Sequence, residues 1–314
     1  MNTKILQNTK ENIELVAKVI KNGGVAAFFT ETVYGLGANA LDMGAIKKIY
    51  EIKGRPSDNP LIVHLDCVSK IDEYAVTTDL AKAVIKAFMP GAVTIVLDKR
   101  DIIPYEASGG LETVAIRIPK SGLARELIRH SGVPVVAPSA NTSTRPSPTK
   151  ASHVLDDLDG KIEFILDGGD CEIGLESTVL DCRGETVKVL RLGGLGVEEI
   201  ETAVGKAEIV GFDGGAVRSP GQKYKHYSPN AKVVWYHNGD EEQLKRLKSE
   251  YDDYIVLNGM DNMEAIENYA RELFAVFRAA DKAGVKVIIC ELCIDKGLGR
   301  AVNNRIKKAA GNKV

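Results

Sequence analysis

Nowhere in its 314 residues does the chain carry an apolar run near the roughly 20 residues of a membrane span. The first ten residues are polar and lack the apolar core of a signal peptide, so a cytoplasmic protein with no membrane partner is expected. Cysteines are few and odd in number. Cys67, Cys171, Cys182, Cys290 and Cys293 suit reduced thiols rather than a disulfide framework. Cys290 and Cys293 have the spacing of a metal or redox pair, but no second Cys/His pair completes a zinc site, and packing is their expected role. The histidines show no ligand spacing. Also missing are a Gly-x-x-x-x-Gly-Lys-Ser/Thr loop and any Ser-His-Asp or Cys-His order that would mark covalent catalysis. A net charge of −2 excludes a surface that is all nucleic-acid footprint, though it leaves room for a local basic patch.

What is present has an ordinary globular composition, 44% hydrophobic and 27% charged, with length enough for one large domain and a smaller one. Asn8 is expected to cap a helix whose apolar face is Ile13, Val16, Ala17 and Ile20, and Gly23-Gly24 stop it. A strand at 25–29 and a helix from Asp42 to Gly54 come next. Further strands are predicted at 61–65, 92–97, 114–118, 135–137, 162–166, 178–181 and 187–190. Several follow one another with no helix between, which predicts an α/β domain on a twisted, mixed sheet rather than a doubly wound parallel one. From about Lys232 strands and helices alternate strictly, predicting a small Rossmann-like three-layer α/β domain of three βα units. No Gly-x-Gly-x-x-Gly turn follows its first strand, so dinucleotide binding is not supported. Residues 212–229 between the two regions read as a Gly/Pro linker with basic and aromatic content unusual for a spacer: Arg218, Lys223, Lys225, His226 and Tyr227.

Chemistry-bearing residues gather in five segments. Residues 53–60, Lys-Gly-Arg-Pro-Ser-Asp-Asn-Pro, form a non-helical turn that Gly54 frees and Pro56 and Pro60 fix. Its two cations, the Asn59 amide and free backbone donors could cradle a phosphate. The turn follows a helix C-terminus, so the helix dipole offers no help. Taken alone, such a turn reads more often as a solvated loop. The others are Thr30-Glu31-Thr32-Val33-Tyr34-Gly35; residues 113–117 with Arg117 inside an apolar strand; the hydroxyl-rich loop at 137–149; and Gly174-Leu175-Glu176-Ser177-Thr178-Val179 with Arg191. An arginine in an apolar strand needs an anion, either a substrate carboxylate held by its fork or a salt bridge to a neighbour. Together the segments bring hydroxyls and three arginines to one sheet edge.

In this order, Lys53-Gly54-Arg55-Pro56 with Asn59-Pro60-Leu61, Pro138-Ser139-Ala140-Asn141 and Ser177-Thr178-Val179 resemble the Sua5/YrdC family. Ser219-Pro220-Gly221 with His226-Tyr227-Ser228-Pro229 resembles its longer Sua5 form. The resemblance implies a YrdC-like catalytic domain at 1–207, a linker and active-site lid at 208–230, and the Sua5 C-terminal domain at 231–314. It also implies an L-threonylcarbamoyladenylate synthase: L-threonine, bicarbonate or CO2 and ATP give threonylcarbamoyl-AMP and pyrophosphate, for tRNA N6-threonylcarbamoyladenosine formation. Position by position, Arg117 would hold the threonine carboxylate, with Thr32, His64, Ser177 and the backbone at Ala137 completing that pocket. Arg55, Asn59, Thr113, Ser139, Ser147, Arg191 and Tyr227 would face ATP, with Lys53 near the phosphates and Asn141 nearby. No protein nucleophile is implied; Lys53 and Arg55 would act by charge. Mg²⁺ would be held mainly by phosphates and water, and the product would pass to a threonylcarbamoyl transferase machinery, with tRNA contact allowed but not required. Independently of the resemblance, the cluster of Arg218, Lys223, Lys225, His226 and Tyr227 suggests that residues 213–229 form a lid, so truncation after about residue 207 is expected to weaken nucleotide retention and leave the core folded. Two rival classes are an RNA-binding module without chemistry and a carbamoyl-transfer maturation domain. The near-neutral charge and the absence of an aromatic RNP-type strand count against the RNA-binding module. Carbamoyl-transfer maturation proteins are longer, with acylphosphatase-like and zinc-finger segments not found here.

Overall fold

The structure is a computed structural model that describes residues 2–210, 227–259 and 262–311. It opens with β1 (Lys4–Leu6) and α1 (Lys10–Lys21). Thr9 rather than Asn8 caps α1: its hydroxyl accepts from the Asn12 amide, three residues on, and Ile13, Val16, Ala17 and Ile20 turn to the core. β2 (Ala26–Phe28) pairs antiparallel with β3 (Gly35–Asn39), a strand absent from those expected from the sequence. Its glycines have a packing reason: a Cβ on Gly37 would stand 2.7 Å from the Phe28 ring. α2 (Met43–Lys53) is capped by Asp42 and ends at Gly54, whose φ of +61° needs no side chain.

The chain continues through β4 (Ile62–His64), α3 (Ile71–Tyr74), β5 (Ala75–Val76), α4 (Asp79–Phe88) and β6 (Val93–Lys99). α5 (Tyr105–Ser108), β7 (Thr113–Arg117), α6 (Gly122–Ser131), β8 (Val135–Val136), α7 (Ala151–Leu158) and β9 (Phe164–Leu166) follow. β10 (Thr178–Asp181), β11 (Val187–Arg191), α8 (Val197–Val204) and β12 (Ala207–Ile209) close the first region. Among the described residues these strands form one sheet in the order β1-β9-β2-β3-β8-β4-β7-β6-β10-β11-β12, with β5 beside β6. The sheet is mixed, as expected: β4–β7 and β6–β10 are parallel, β6–β7 and β10–β11 antiparallel. β12 adds an edge strand that starts at Ala207 and pairs with β11 through Ile209, two residues past the expected boundary.

β13 (Lys232–Tyr236), α9 (Glu241–Glu250), β14 (Tyr254–Leu257), α10 (Met263–Ala283), β15 (Val287–Glu291) and α11 (Leu298–Ala309) form the second region. Its parallel sheet, β13-β15-β14, is covered on both faces. Tyr236, Val287 and Ile289 pack with Leu244 and Leu247 of α9, while Val233 and Ile288 join the apolar cluster of α10 and α11. That cluster does not stop at the domain boundary. Leu273, Phe274 and Phe277 belong to the same continuous core as Ile13 and Phe28. Buried Arg278 ties the regions further, donating to both Asp157 carboxylate oxygens at 3.0 and 2.9 Å. Gly174, at φ +78°, lies so close to α10 that a Cβ there would meet the Arg271 Cα at 2.4 Å. Among the described residues no helix is long and apolar enough to cross a membrane.

Candidate active site

Where β4, β7 and β11 end and β10 begins, the side chains enclose a cavity of about 70 Å³. Strand ends in an open α/β sheet leave backbone and side chains free of the ladder, so ligand sites gather there. Among the described lining residues, Arg55, Arg117, Arg145 and Arg191 oppose a single carboxylate, Glu176. Such a surplus of fixed guanidinium groups suits a polyanion.

One wall is set by the register of β4 on β7, which makes His64 and Arg117 neighbours. Arg117 is buried, and its Nη2 donates to Glu31 Oε1 at 2.6 Å while Nη1 donates to the Thr32 hydroxyl at 2.7 Å. A salt bridge to a neighbour and a place on the cavity wall are thus both true of this arginine. Burial pushes the Glu31 carboxyl up, but the Arg117 charge, together with hydrogen bonds from Arg117 and from backbone N–H groups, more than offsets this and holds it below its ordinary value. His64 Nδ1–H donates to the Ile62 carbonyl at 3.1 Å. Burial first, then the Arg117 charge, push its pKa down to about 3, so the ring is neutral at pH 7.

The opposite wall is built on Glu176 and Ser177. Arg191 Nε and Nη2 donate to the Ser177 carbonyl at 3.2 and 2.9 Å, and the Ser177 hydroxyl pairs with that of Thr94 at 2.7 Å. Gly193 is pressed against this segment; any Cβ would stand 2.3 Å from the Glu176 carbonyl oxygen. Glu176 Oε1 accepts from the Ser147 hydroxyl and Oε2 from Arg305 of α11. Tyr227 covers this side, its ring stacked on Phe274 with centroids 5.4 Å apart.

The turn after α2 supplies the third side. Arg55 donates to the carbonyls of Asn59 and Pro60 and lines the cavity. Lys53 departs from the expectation. Its buried ammonium donates to the carbonyls of Ser139 and Asn141, so it fastens the 139–143 loop to the end of α2 instead of facing the cavity. Burial, then the Arg55 charge, hold its pKa well below the ordinary lysine value. Ser139 in turn donates to Asn141 Oδ1.

Of the residues expected at the site, Arg55, His64, Arg117, Ala137, Ser139, Asn141, Ser147, Ser177, Arg191 and Tyr227 line the cavity. Thr32 stands one bond behind Arg117. Asn59 is buried beside lining Pro60, and its Oδ1 has no hydrogen-bond partner among the described residues. Thr113 is half-buried and, by the register that pairs Ile62 with Ala115, lies level with Pro60 outside the wall. Arg218, Lys223, Lys225 and His226 lie outside the described residues. Sequence reasoning placed Glu31, Arg145 and Glu176 in chemistry-bearing segments but gave them no role, and it missed Arg305. The signal for Arg305 was present: with Ala301, Val302, Ile306 and Ala309 it falls on the buried stripe of α11. Among the described residues no group of three or more His, Cys, Asp or Glu side chains could hold a metal ion. Cys290 and Cys293 are buried, and no disulfide joins them.

A family model described as telomere recombination, for the Sua5, YciO and YrdC proteins, matches residues 18–193. The chain belongs to the Sua5/YrdC family. A second model, described as the C-terminal domain of threonylcarbamoyl-AMP synthase, matches residues 195–311. This Sua5/YrdC chain is 42% identical over 336 residues to the threonylcarbamoyl-AMP synthase of Pyrococcus abyssi, covering 99% of this chain and 98% of that one. It is equally similar, 42% over 337 residues, to the enzyme of that name from Bacillus subtilis, with 99% and 96% covered. The crystal structure of P. abyssi Sua5 complexed with L-threonine superposes with a TM-score of 0.91 at 42% identity, covering 100% of this chain and 98% of that one.

Proposed function

We propose that this Sua5/YrdC chain is an L-threonylcarbamoyladenylate synthase, converting L-threonine, bicarbonate or CO2 and ATP to threonylcarbamoyl-AMP and pyrophosphate. Full-length similarity to synthases of this name carries the reading. The cavity's chemistry supports it, since the reaction needs positioning and charge neutralisation rather than a protein nucleophile. The threonine amine attacks the carbon of CO2 and loses a proton to form a carbamate. A carbamate oxygen then attacks the α-phosphorus of ATP, and the bond to the β,γ-pyrophosphate breaks.

In this reading Arg117, pre-set by Glu31 and Thr32, holds the threonine carboxylate, with neutral His64, Ser177 and the Ala137 backbone around it. Arg55, Asn59, Thr113, Ser139, Ser147, Arg191 and Tyr227 take the nucleotide, with Asn141 close by. Lys53 acts through the loop it fastens. A Mg²⁺ ion fits only if it enters on the phosphates, because Glu176 is already committed to Ser147 and Arg305. An ordinary ligand pocket has a volume of roughly 300 Å³ or more. At about 70 Å³ the cavity is smaller than that, so ATP needs the walls to open; with Tyr227 on the cavity wall, we read residues 208–230 as linker and lid between a catalytic domain at 1–207 and a C-terminal domain at 231–314. The labile adenylate would go on to a threonylcarbamoyl transferase acting on tRNA in the cytoplasm.

Pyrophosphate release that requires threonine and bicarbonate together, with threonylcarbamoyl-AMP identified by mass, is the expected result. Arg117→Ala should lower kcat/KM for threonine by roughly 100-fold, the loss of a charged hydrogen-bonded anchor. Pyrophosphate release indifferent to threonine would overturn the assignment.

A further inference from the structure

Arg305 is fully buried on the apolar stripe of α11, where an unpaired guanidinium would be prohibitive. Every arm of its fork has a partner. Nε and Nη2 both approach Glu176 Oε2 at 3.0 Å, Nη2 also donates to the Leu192 carbonyl at 2.9 Å, and Nη1 donates to Asn304 Oδ1 at 3.1 Å. The guanidinium carbon also lies 4.9 Å from the centre of the Tyr227 ring. Phe274 of α10 stacks on the same ring. Tyr227 has a φ of +65°, a left-handed conformation that a bulky residue keeps only where its surroundings impose it. Arg305 and Phe274, both from the C-terminal domain, are part of those surroundings.

Arg305 itself does not line the cavity, but Glu176, Ser147 and Tyr227 do. Glu176 is the single carboxylate among the described lining residues, and a bare carboxylate there would repel a polyphosphate. Pairing with Arg305 neutralises it and aims its other oxygen at Ser147. Resting on the reading of this cavity as an ATP site, we propose that Arg305 is a positioning residue through which the C-terminal domain shapes the nucleotide side of the active site. Among the described residues no hydrogen bond or ion pair joins Arg305 to His64, Arg117 or Glu31, which anchor the threonine side; that side meets Arg305 only through Ser177, the neighbour of Glu176, and should feel its loss far less.

The test uses the full chain and measures the ATP Kd, the KM of each substrate and the melting temperature. Arg305→Met should raise the ATP Kd and KM at least tenfold while the threonine KM stays within twofold. Arg305→Lys keeps the charge but loses the fork, and should fall between wild type and Arg305→Met. Combining Arg305→Met with Glu176→Gln removes the stranded carboxylate and should recover at least threefold in ATP Kd over Arg305→Met alone. If Arg305→Met does not fold, Arg305→Lys and the double variant decide by the same split. Equal losses for both substrates, an unchanged ATP Kd, or a double variant no better than the single would overturn the role. Wild type that binds ATP yet makes no threonylcarbamoyl-AMP would instead overturn the functional reading, and the ATP Kd comparison would still decide Arg305.

Discussion

A buried histidine with an arginine as its strand neighbour cannot easily take a proton, and His64 sits in that position beside Arg117. Its folded pKa of about 3 lies below the ordinary 6.5. As pH falls through 6.5 the unfolded chain gains a proton that the folded chain refuses until near pH 3. Stability from this site is therefore present above 6.5 and lost progressively down to 3. Between pH 7 and pH 5 the loss is about 2 kcal/mol. His153, lowered to about 4 by burial and then by Arg278, adds a slope of the same sign. His64→Asn should shrink the difference in unfolding free energy between pH 7 and pH 5 by about 2 kcal/mol, leaving the His153 share; a denaturant titration at the two pH values measures it. An unchanged difference would mean that His64 is protonated in the fold. At this scale the sequence named His64 and Arg117 correctly as cavity residues. It could not assign Glu31 to Arg117, because only the closure of the 30–35 segment onto β7 makes that carboxylate a partner. Lys53 misled for a related reason: a cation next to a glycine turn looks solvated until the 139–143 loop folds over it.

Short elements are where pattern and packing parted. β4, β7, β10 and β11 were legible as apolar runs bounded by turn residues, and they carry the site at their ends. β3 was not legible, since Gly35 and Gly37 read as punctuation until the Phe28 ring claims the space above them. Gly193 is a similar case with a consequence for the site. It follows the end of β11 and backs onto the segment entering β10, where a Cβ would stand 2.3 Å from the Glu176 carbonyl oxygen and 2.4 Å from the Ser177 carbonyl carbon. Both obstacles are backbone, so neither can swing aside. Gly193→Ala must push residues 176–178 away from Arg191, costing about 1–3 kcal/mol as an overpacked contact. The displaced Ser177 and Glu176 should also lower adenylate formation at least tenfold. Melting temperature and initial rates on the purified variant check both effects. Wild-type values in both would show that the two segments can separate freely.

Taken whole, the molecule has a boundary in its chain that is not a boundary in its packing. Alternation of strands and helices after Lys232 marks a second unit in the sequence, and the parallel β13-β15-β14 sheet answers to it. What alternation cannot convey is that the unit's helices present arginines inward: Arg278 to Asp157 and Arg305 to Glu176, both pairs buried. Ion pairs between segments more than a hundred residues apart leave no periodic trace. Their presence reverses the expectation that a catalytic core freed of linker and C-terminal domain stays folded. A chain ending at residue 210 would strand Glu176 and Asp157 as buried carboxylates and expose the side of the core that packs on Leu273, Phe274 and Phe277. Breaking a buried pair by removing one partner costs about 3–5 kcal/mol, and two such losses compete with a total stability of about 5–15 kcal/mol. The truncated chain should therefore lose its cooperative thermal transition, or melt at least 10 °C below the full chain. Adding Glu176→Gln and Asp157→Asn to the truncation should recover part of that loss, because neutral amides are cheaper to leave unpaired than carboxylates. Calorimetry on the three proteins measures both steps. A truncated chain that melts cooperatively within a few degrees of the full one would mean that the two arginines reach the core without holding it.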